Sequence, residues 1–232
     1  EAIGVDELIY YMFSDRHRQK PDPDRRYDRI YIGGDYGQQN ATTFEAFGLD
    51  TYRKKFPGLG EYYHSGRESG RQKSPSEYAR DLVEFMDGLH EQYENRIFYI
   101  FLDPSAKGLA EEVRRATRTG LDYQVFQRDA ENDVAFGISR VQKALVFDIM
   151  SISPKQEYAV QEFGTYEYDK KSIEKGKEVP VKEADHCMDA IRYVVMGAWS
   201  KIKHWLPLDI VEDDVNIGDI SSREVREEDE YL

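Results

Sequence analysis

The chain has 232 residues, 40% of them hydrophobic and 13% aromatic, which is enough for one large domain with a real core. Its single cysteine, Cys187, excludes an internal disulfide framework and fits a reducing compartment. No apolar run approaches the ~20 residues that cross a bilayer, and the first residues, EAIGVDELIYYMF, lack the basic start and cleavage site of a signal peptide.

The formal net charge of −13 argues at first against a nucleic-acid partner. Its distribution removes the objection. Residues 209–232 hold ten Asp or Glu and two Arg, a net −8, and read as a solvated acidic tail. The body carries basic clusters at 16–20 (RHRQK), 25–29 (RRYDR), 52–55 (YRKK) and 114–118 (RRATR), each also readable as a solvated face.

In chain order, the Pro- and charge-rich stretch 18–26 reads as a linker. Strands are predicted over 27–35, 42–50 and 61–66, with a turn at Gln38–Asn40, and closely spaced strands pair antiparallel. Ser74, Pro75 and Glu77 form a helix start with a capping box, and Tyr78, Leu82, Phe85, Met86 and Leu89 recur at helical spacing. The apolar run RIFYIFLD, 96–103, predicts a strand buried on both faces. A helix over 105–119, a strand over 121–127 and a helix over 134–146 capped by Asp133 follow. Residues 146–152 fit neither type, Ser153-Pro154 open a further helix, and 170–182 reads as a polar loop or hairpin. The last helix runs from about Asp185 to Ser200. Three adjoining strands, then strands separated by helices, predict an α/β fold. Its mixed central β-sheet has three antiparallel strands followed by parallel ones, and helices on both faces.

This order gives three acids a common destination. Asp35 and Asp103 end two strands that in a sheet of this order can lie side by side and parallel, which would bring both to the edge where such sheets place ligands. Asp189, early in the last helix, joins them if that helix packs near the same edge. Converging carboxylates repel unless a cation is present. Mg²⁺ or Mn²⁺ prefers oxygen ligands, and two such ions serve phosphodiester cleavage. Gly33, Gly34 and Gly37 are then expected to clear the approach of metal and phosphate. Each piece also has a plainer reading: DYG as a hairpin turn, Asp103 as a helix cap, Asp185 as the N-cap of the last helix, and His186 as a surface residue.

The segment PVKEADHCMDAIRYVV, 180–195, resembles the P-x-K-x-x-D-H-x-x-D-A-x-R-Y motif near the end of phage terminase large subunits. The strand ending GGDYG, the strand ending FLDPS and DVAFGISRVQKAL, 133–145, are similar to the same family's C-terminal nuclease domain, so the resemblance spans about 27–200. It implies an RNase H-like fold and a metal-dependent endonuclease that cuts concatemeric viral DNA during genome packaging. Asp35, Asp103 and Asp189 would be the metal-binding catalytic residues for two Mg²⁺ or Mn²⁺ ions, with His186 an auxiliary active-site residue. Lys182 and Lys107 would contact double-stranded DNA through its backbone.

The resemblance further implies an ATPase domain in the same polypeptide, portal and small terminase subunit as partners, no membrane association, and action in the host cytoplasm. No G-x-x-x-x-G-K-[ST] loop occurs. The expected organisation is therefore a connection from a missing ATPase domain (1–26), the nuclease domain (27–205) and an acidic tail (206–232). Three other readings compete: an actin-like or sugar-kinase-type ATP-binding domain, another RNase H-like nuclease such as a resolvase or transposase, and a non-enzymatic docking module using the tail.

Overall fold

The computed structural model describes residues 7–37, 40–183 and 185–211. Six strands form one mixed sheet: β1 (Arg29–Tyr36), β2 (Ala41–Leu49), β3 (Phe56–Ser65), β4 (Ile97–Leu102), β5 (Gln124–Asp129) and β6 (Met150–Ser151), in spatial order β5-β4-β1-β2-β3-β6. The pairs β1/β2 and β2/β3 are antiparallel. The pairs β1/β4, β4/β5 and β3/β6 are parallel. This is the expected mixed sheet.

The helices are α1 (Gly66–Ser69), α2 (Pro75–Tyr93), α3 (Lys107–Ala116), α4 (Val134–Val146), α5 (Glu157–Phe163), α6 (Lys170–Ile173), α7 (His186–Ile202) and α8 (Leu208–Val211). The first long one, α2, forms for the reasons its sequence states. Ser74 Oγ accepts the Glu77 N–H while Glu77 reaches back to the Ser74 N–H, and Pro75 occupies the first turn. Tyr78, Leu82, Met86, Leu89 and Tyr93 then share one buried face. Full burial of each such side chain is worth about 1.5–3 kcal/mol.

Two apolar cores result, one per face of the sheet. Residues of α2 and α3 cover Ile30, Ile32, Phe44, Phe98, Ile100 and Leu102. On the other face α4, α5 and α7 cover Tyr31, Phe47, Phe56 and Phe101.

Some boundaries differ from those predicted. The third strand begins at Phe56, five residues early, because Phe56 and Pro57 pair with β6 across the stretch 146–152 that fitted neither type. Helix α5 starts at Glu157, after Ser153-Pro154, because Gln156 folds back to accept the Ser153 N–H and becomes the N-cap. The stretch 170–182 holds the short helix α6, capped by Asp169, and is closed at its base by a Tyr168–Pro180 bridge. Of the turn predicted at Gln38–Asn40, positions 38 and 39 lie outside the described residues. The segment expected as a connection packs into the same core: Ile9, Tyr10 and His17 are each 1% exposed, and the Ile152 N–H donates to the His17 carbonyl at 2.7 Å. Of the expected tail, Leu206 and Ile210 are buried, and residues 212–232 lie outside the described residues. Among the described residues no helix is long and apolar enough to cross a membrane.

Candidate active site

Side chains alternate across a strand, and this sorts the acids. On β1, Ile30 and Ile32 enter the core under α2 and α3, while Tyr31 enters the opposite one. Gly33 and Asp35 share the Tyr31 side. On β4, Ile100 and Leu102 face α2 and α3 while Phe101 faces α7, and Asp103 follows with the Phe101 parity. Gly34 is in register with Leu102 across parallel neighbours, so Asp35 and Asp103 stand at the next step of both.

The third acid arrives because α7 lies directly on β1. A Cβ at Gly33 would sit 1.9 Å from the Ala190 carbonyl oxygen and 2.7 Å from Val194 Cγ2. At Gly34 it would meet Leu102 and Phe44 within 2.9 Å, and at Gly37 the Ala41 oxygen at 2.4 Å. The expectation that these glycines clear a path for metal and phosphate is therefore corrected: the protein itself fills the space. The absence of a side chain at Gly33 lets the α7 backbone descend onto the strand, which carries Asp189 towards the sheet edge.

Each acid has a partner on α7. His186 Nδ1 lies 2.7 Å from Asp35 Oδ2. Tyr193 donates its hydroxyl to Asp103 Oδ2 at 2.8 Å, and Asn132 donates to the same oxygen at 3.2 Å. Buried Arg192 donates through its terminal nitrogen to Asp189 Oδ1, while its Nε and other terminal nitrogen have no hydrogen-bond partner. Asp185 is the N-cap residue of α7, although its side chain makes no capping bond.

The electrostatics reflect this crowding. Burial pushes the Asp35 carboxyl up, the His186 hydrogen bond opposes the shift, and the Asp189 and Asp185 charges add to it. The hydrogen bond to Asp35 raises His186 against its own burial. Burial would raise Asp103 too, but hydrogen bonds from Ser105 and Tyr193 and the charge of Lys182 hold it below its usual value. Tyr193 is raised by burial, then by the charge of Asp189, its bond to Asp103 and the charge of Asp35. One hydroxyl thus feels all three predicted acids.

This donor set is entirely carboxylate oxygen, held in a partly buried site with mutual repulsion. It fits a hard divalent cation. Among the described residues, the metal-capable side chains whose ligand atoms already lie within 4.8 Å of one another are a different group, Glu45, Glu61 and Cys187.

Beside His186 a cavity of about 550 Å³ opens, lined by Tyr63, Ser65, Arg67, Lys182 and Asp185 among others. Lys182 is on its wall, with Nζ 3.8 Å from Asp185 Oδ2. Lys107 is the exposed first residue of α3. Sequence reasoning missed Arg192, Tyr193 and Asn132. The first two were in plain view inside the A-x-R-Y part of the 180–195 motif. Asn132 carried no signal.

Similarity to solved structures is extensive. The large terminase of the thermophilic bacteriophage D6E, in complex with ATP-γ-S, shares 34% identity at a TM-score of 0.70, covering 82% of this chain and 45% of that one. The P22 large terminase nuclease domain shares 15% identity at a TM-score of 0.62, covering 83% of this chain and 92% of that domain. The human cytomegalovirus terminase nuclease domain, Mn soaked, shares 13% at a TM-score of 0.54, over 80% and 90%. The chain thus spans under half the length of the D6E protein, and the two domains at lower identity show the fold alone. No protein-family model matches the chain, and no curated protein does.

Proposed function

We propose that this chain, which belongs to the large-terminase family, is a divalent-metal-dependent endonuclease that cuts concatemeric viral DNA during genome packaging. The observation that supports the reading is the arrangement, in this fold, of Asp35 and Asp103 at the ends of adjacent parallel strands, with Asp189 in the first turn of the helix that packs on β1. The cytomegalovirus domain, Mn soaked, and the nuclease of the thermophilic phage G20c, with bound cobalt, support divalent-metal use by this fold.

Asp35, Asp103 and Asp189 would hold the metal, Mg²⁺ or Mn²⁺, as two ions. When bound, the ions supply charge stabilisation at the phosphate and lower the pKa of water. The remaining work belongs to the chain. Tyr193 and Asn132 fix the rotamer of Asp103, and Arg192 fixes that of Asp189. His186 orients Asp35 through its Nδ1 and would hold a proton next to that carboxylate. Lys182 holds the DNA backbone at the cavity mouth, and Lys107 is a second phosphate contact. Binding through phosphates makes the interaction salt-dependent. The D6E complex with ATP-γ-S supports an ATPase unit within the same polypeptide; portal and small subunit remain partners of the proposed whole machine.

The test is a plasmid assay. Supercoiled DNA is incubated with the protein and Mn²⁺, Mg²⁺ or EDTA, beside the Asp35→Ala variant. Nicked and linear products that need metal and vanish in the variant support the reading. A folded protein that cuts under no metal condition overturns it.

A further inference from the structure

A buried carboxylate outside the acid set sits at the root of α7. Glu162, the sixth residue of α5, is 6% exposed. Its Oε2 accepts the backbone N–H of Cys187 at 2.8 Å and that of Met188 at 3.1 Å. These two groups belong to the first turn of α7, where backbone donors have no partner inside the helix. An N-cap side chain normally serves them, but Asp185 makes no such bond. Glu162 has taken over that role from a neighbouring helix.

The helix that carries Glu162 is itself tied to the sheet. Glu61 on β3 accepts the Tyr158 N–H at 2.8 Å and the Ala159 N–H at 3.1 Å. Gln156, the N-cap of α5, donates to Glu45 on β2 at 2.8 Å. A continuous run of polar bonds therefore passes from β2 and β3, through α5, to the first turn of α7. Residues His186 and Asp189 flank the two bonded amides. His186 is the residue that meets Asp35, and Asp189 the one that crowds it.

We propose that Glu162 is a positioning residue for DNA cleavage, holding the first turn of α7 at the height where His186 meets Asp35 and Asp189 reaches the sheet edge. This rests on the reading of that edge as the catalytic site. The physical reason is tolerance. Misplacing a reacting group by about 1 Å costs on the order of 10²-fold in rate. A first helical turn whose N–H groups are unpaired is the part of a helix most prone to fray.

Three variants separate positioning from bulk stability. Glu162→Leu keeps the volume and removes the acceptor. Glu162→Gln keeps an acceptor oxygen at the same reach. Glu162→Asp keeps the carboxyl and loses the reach. Hydrogen exchange at the Cys187 and Met188 amides, Mn²⁺ binding, and kcat and KM for plasmid nicking are measured on each. In the Leu and Asp variants exchange at the two amides should quicken roughly tenfold. Their kcat should fall ~10–100-fold, with KM for DNA within about twofold of the starting protein. The Gln variant should recover most of the lost kcat.

A folded Leu variant with unchanged exchange at both amides, or with faster exchange and an unchanged kcat, overturns the proposal. If that variant does not fold, the Asp variant decides by the same two criteria. If the unmodified protein neither binds Mn²⁺ nor nicks DNA, the nuclease reading fails and takes the proposal with it. In that event the exchange data still report whether Glu162 holds the α7 amides, so the two failures are told apart.

Discussion

At the scale of single residues, the site is a set of carboxylates each steadied by one donor from α7. Asp35 pays a burial penalty that the His186 bond only partly offsets. Asp35→Ala removes a charge that burial disfavours and that the proposed cleavage would need. Plasmid nicking should fall by roughly 10⁴-fold or more, while the melting temperature stays level or rises; a calorimetric scan beside the nicking assay checks both. Tyr193 makes a subtler prediction. Tyr193→Phe takes one hydroxyl from Asp103 and leaves it the Ser105 and Asn132 bonds. Loss of such an outer partner should lower Mn²⁺ affinity or activity about 10–100-fold, measured by Mn²⁺ titration and nicking rate. The sequence offered Asp35, Asp103 and Asp189 because carboxylates at strand ends and in a first helical turn are visible as letters. It offered nothing for Glu162, because a glutamate in the middle of QEYAVQEFG looks like any solvated helix residue until its neighbours are known.

At the scale of elements, α7 is the part on which the site depends. It touches β1, β2 and β4, and is backed by α4. Gly137 on α4 makes room for Arg192, whose Cδ would be 3.1 Å from a Cβ there. The closest approach is at Gly33. Gly33→Ala would place a methyl 1.9 Å from the Ala190 carbonyl oxygen, and backbone cannot step aside as a side chain can. Overpacking of this kind costs about 1–3 kcal/mol or more. The expected outcome is a melting temperature lower by several degrees, together with loss of cleavage because α7 lifts His186 and Asp189 away from Asp35. Thermal denaturation and the nicking assay on the same preparation test it; a variant that melts lower yet cuts normally would show that α7 height is unimportant.

At the scale of the whole molecule, charge sets the response to pH and salt. Burial pushes Glu162 up to about 8 from 4.5. A carboxyl raised on folding binds its proton more tightly folded than unfolded. Its contribution is therefore complete below about pH 4.5 and is lost as the pH rises through about 8. Over that window the loss is on the order of a few kcal/mol. Glu162→Gln cannot ionise, so it should match the starting protein's stability at pH 5 and exceed it at pH 9, as urea unfolding at the two values would show. The whole chain is acidic, at −13. The proposed DNA contact would then come from local cations such as Lys182, and the logarithm of the affinity should fall linearly with the logarithm of salt concentration. A filter-binding series from 50 to about 200 mM salt checks this, and a flat response would remove the phosphate-contact reading of Lys182.

Legible in the order of residues were the first five strands, the longer helices, the capped start of α2, and an element order that allows the strands ending in Asp35 and Asp103 to be parallel neighbours, as they are. These depend on local periodicity and on chain connectivity, both of which are written in the order of residues. The reason Gly33 is a glycine, the donors that hold each acid, and the capping of α7 by Glu162 from another helix emerge with the packed fold. These depend on distances between segments far apart in the chain, such as 33 to 190 and 162 to 187. No local pattern records a contact across such a separation, because packing and not propensity brings the two ends together.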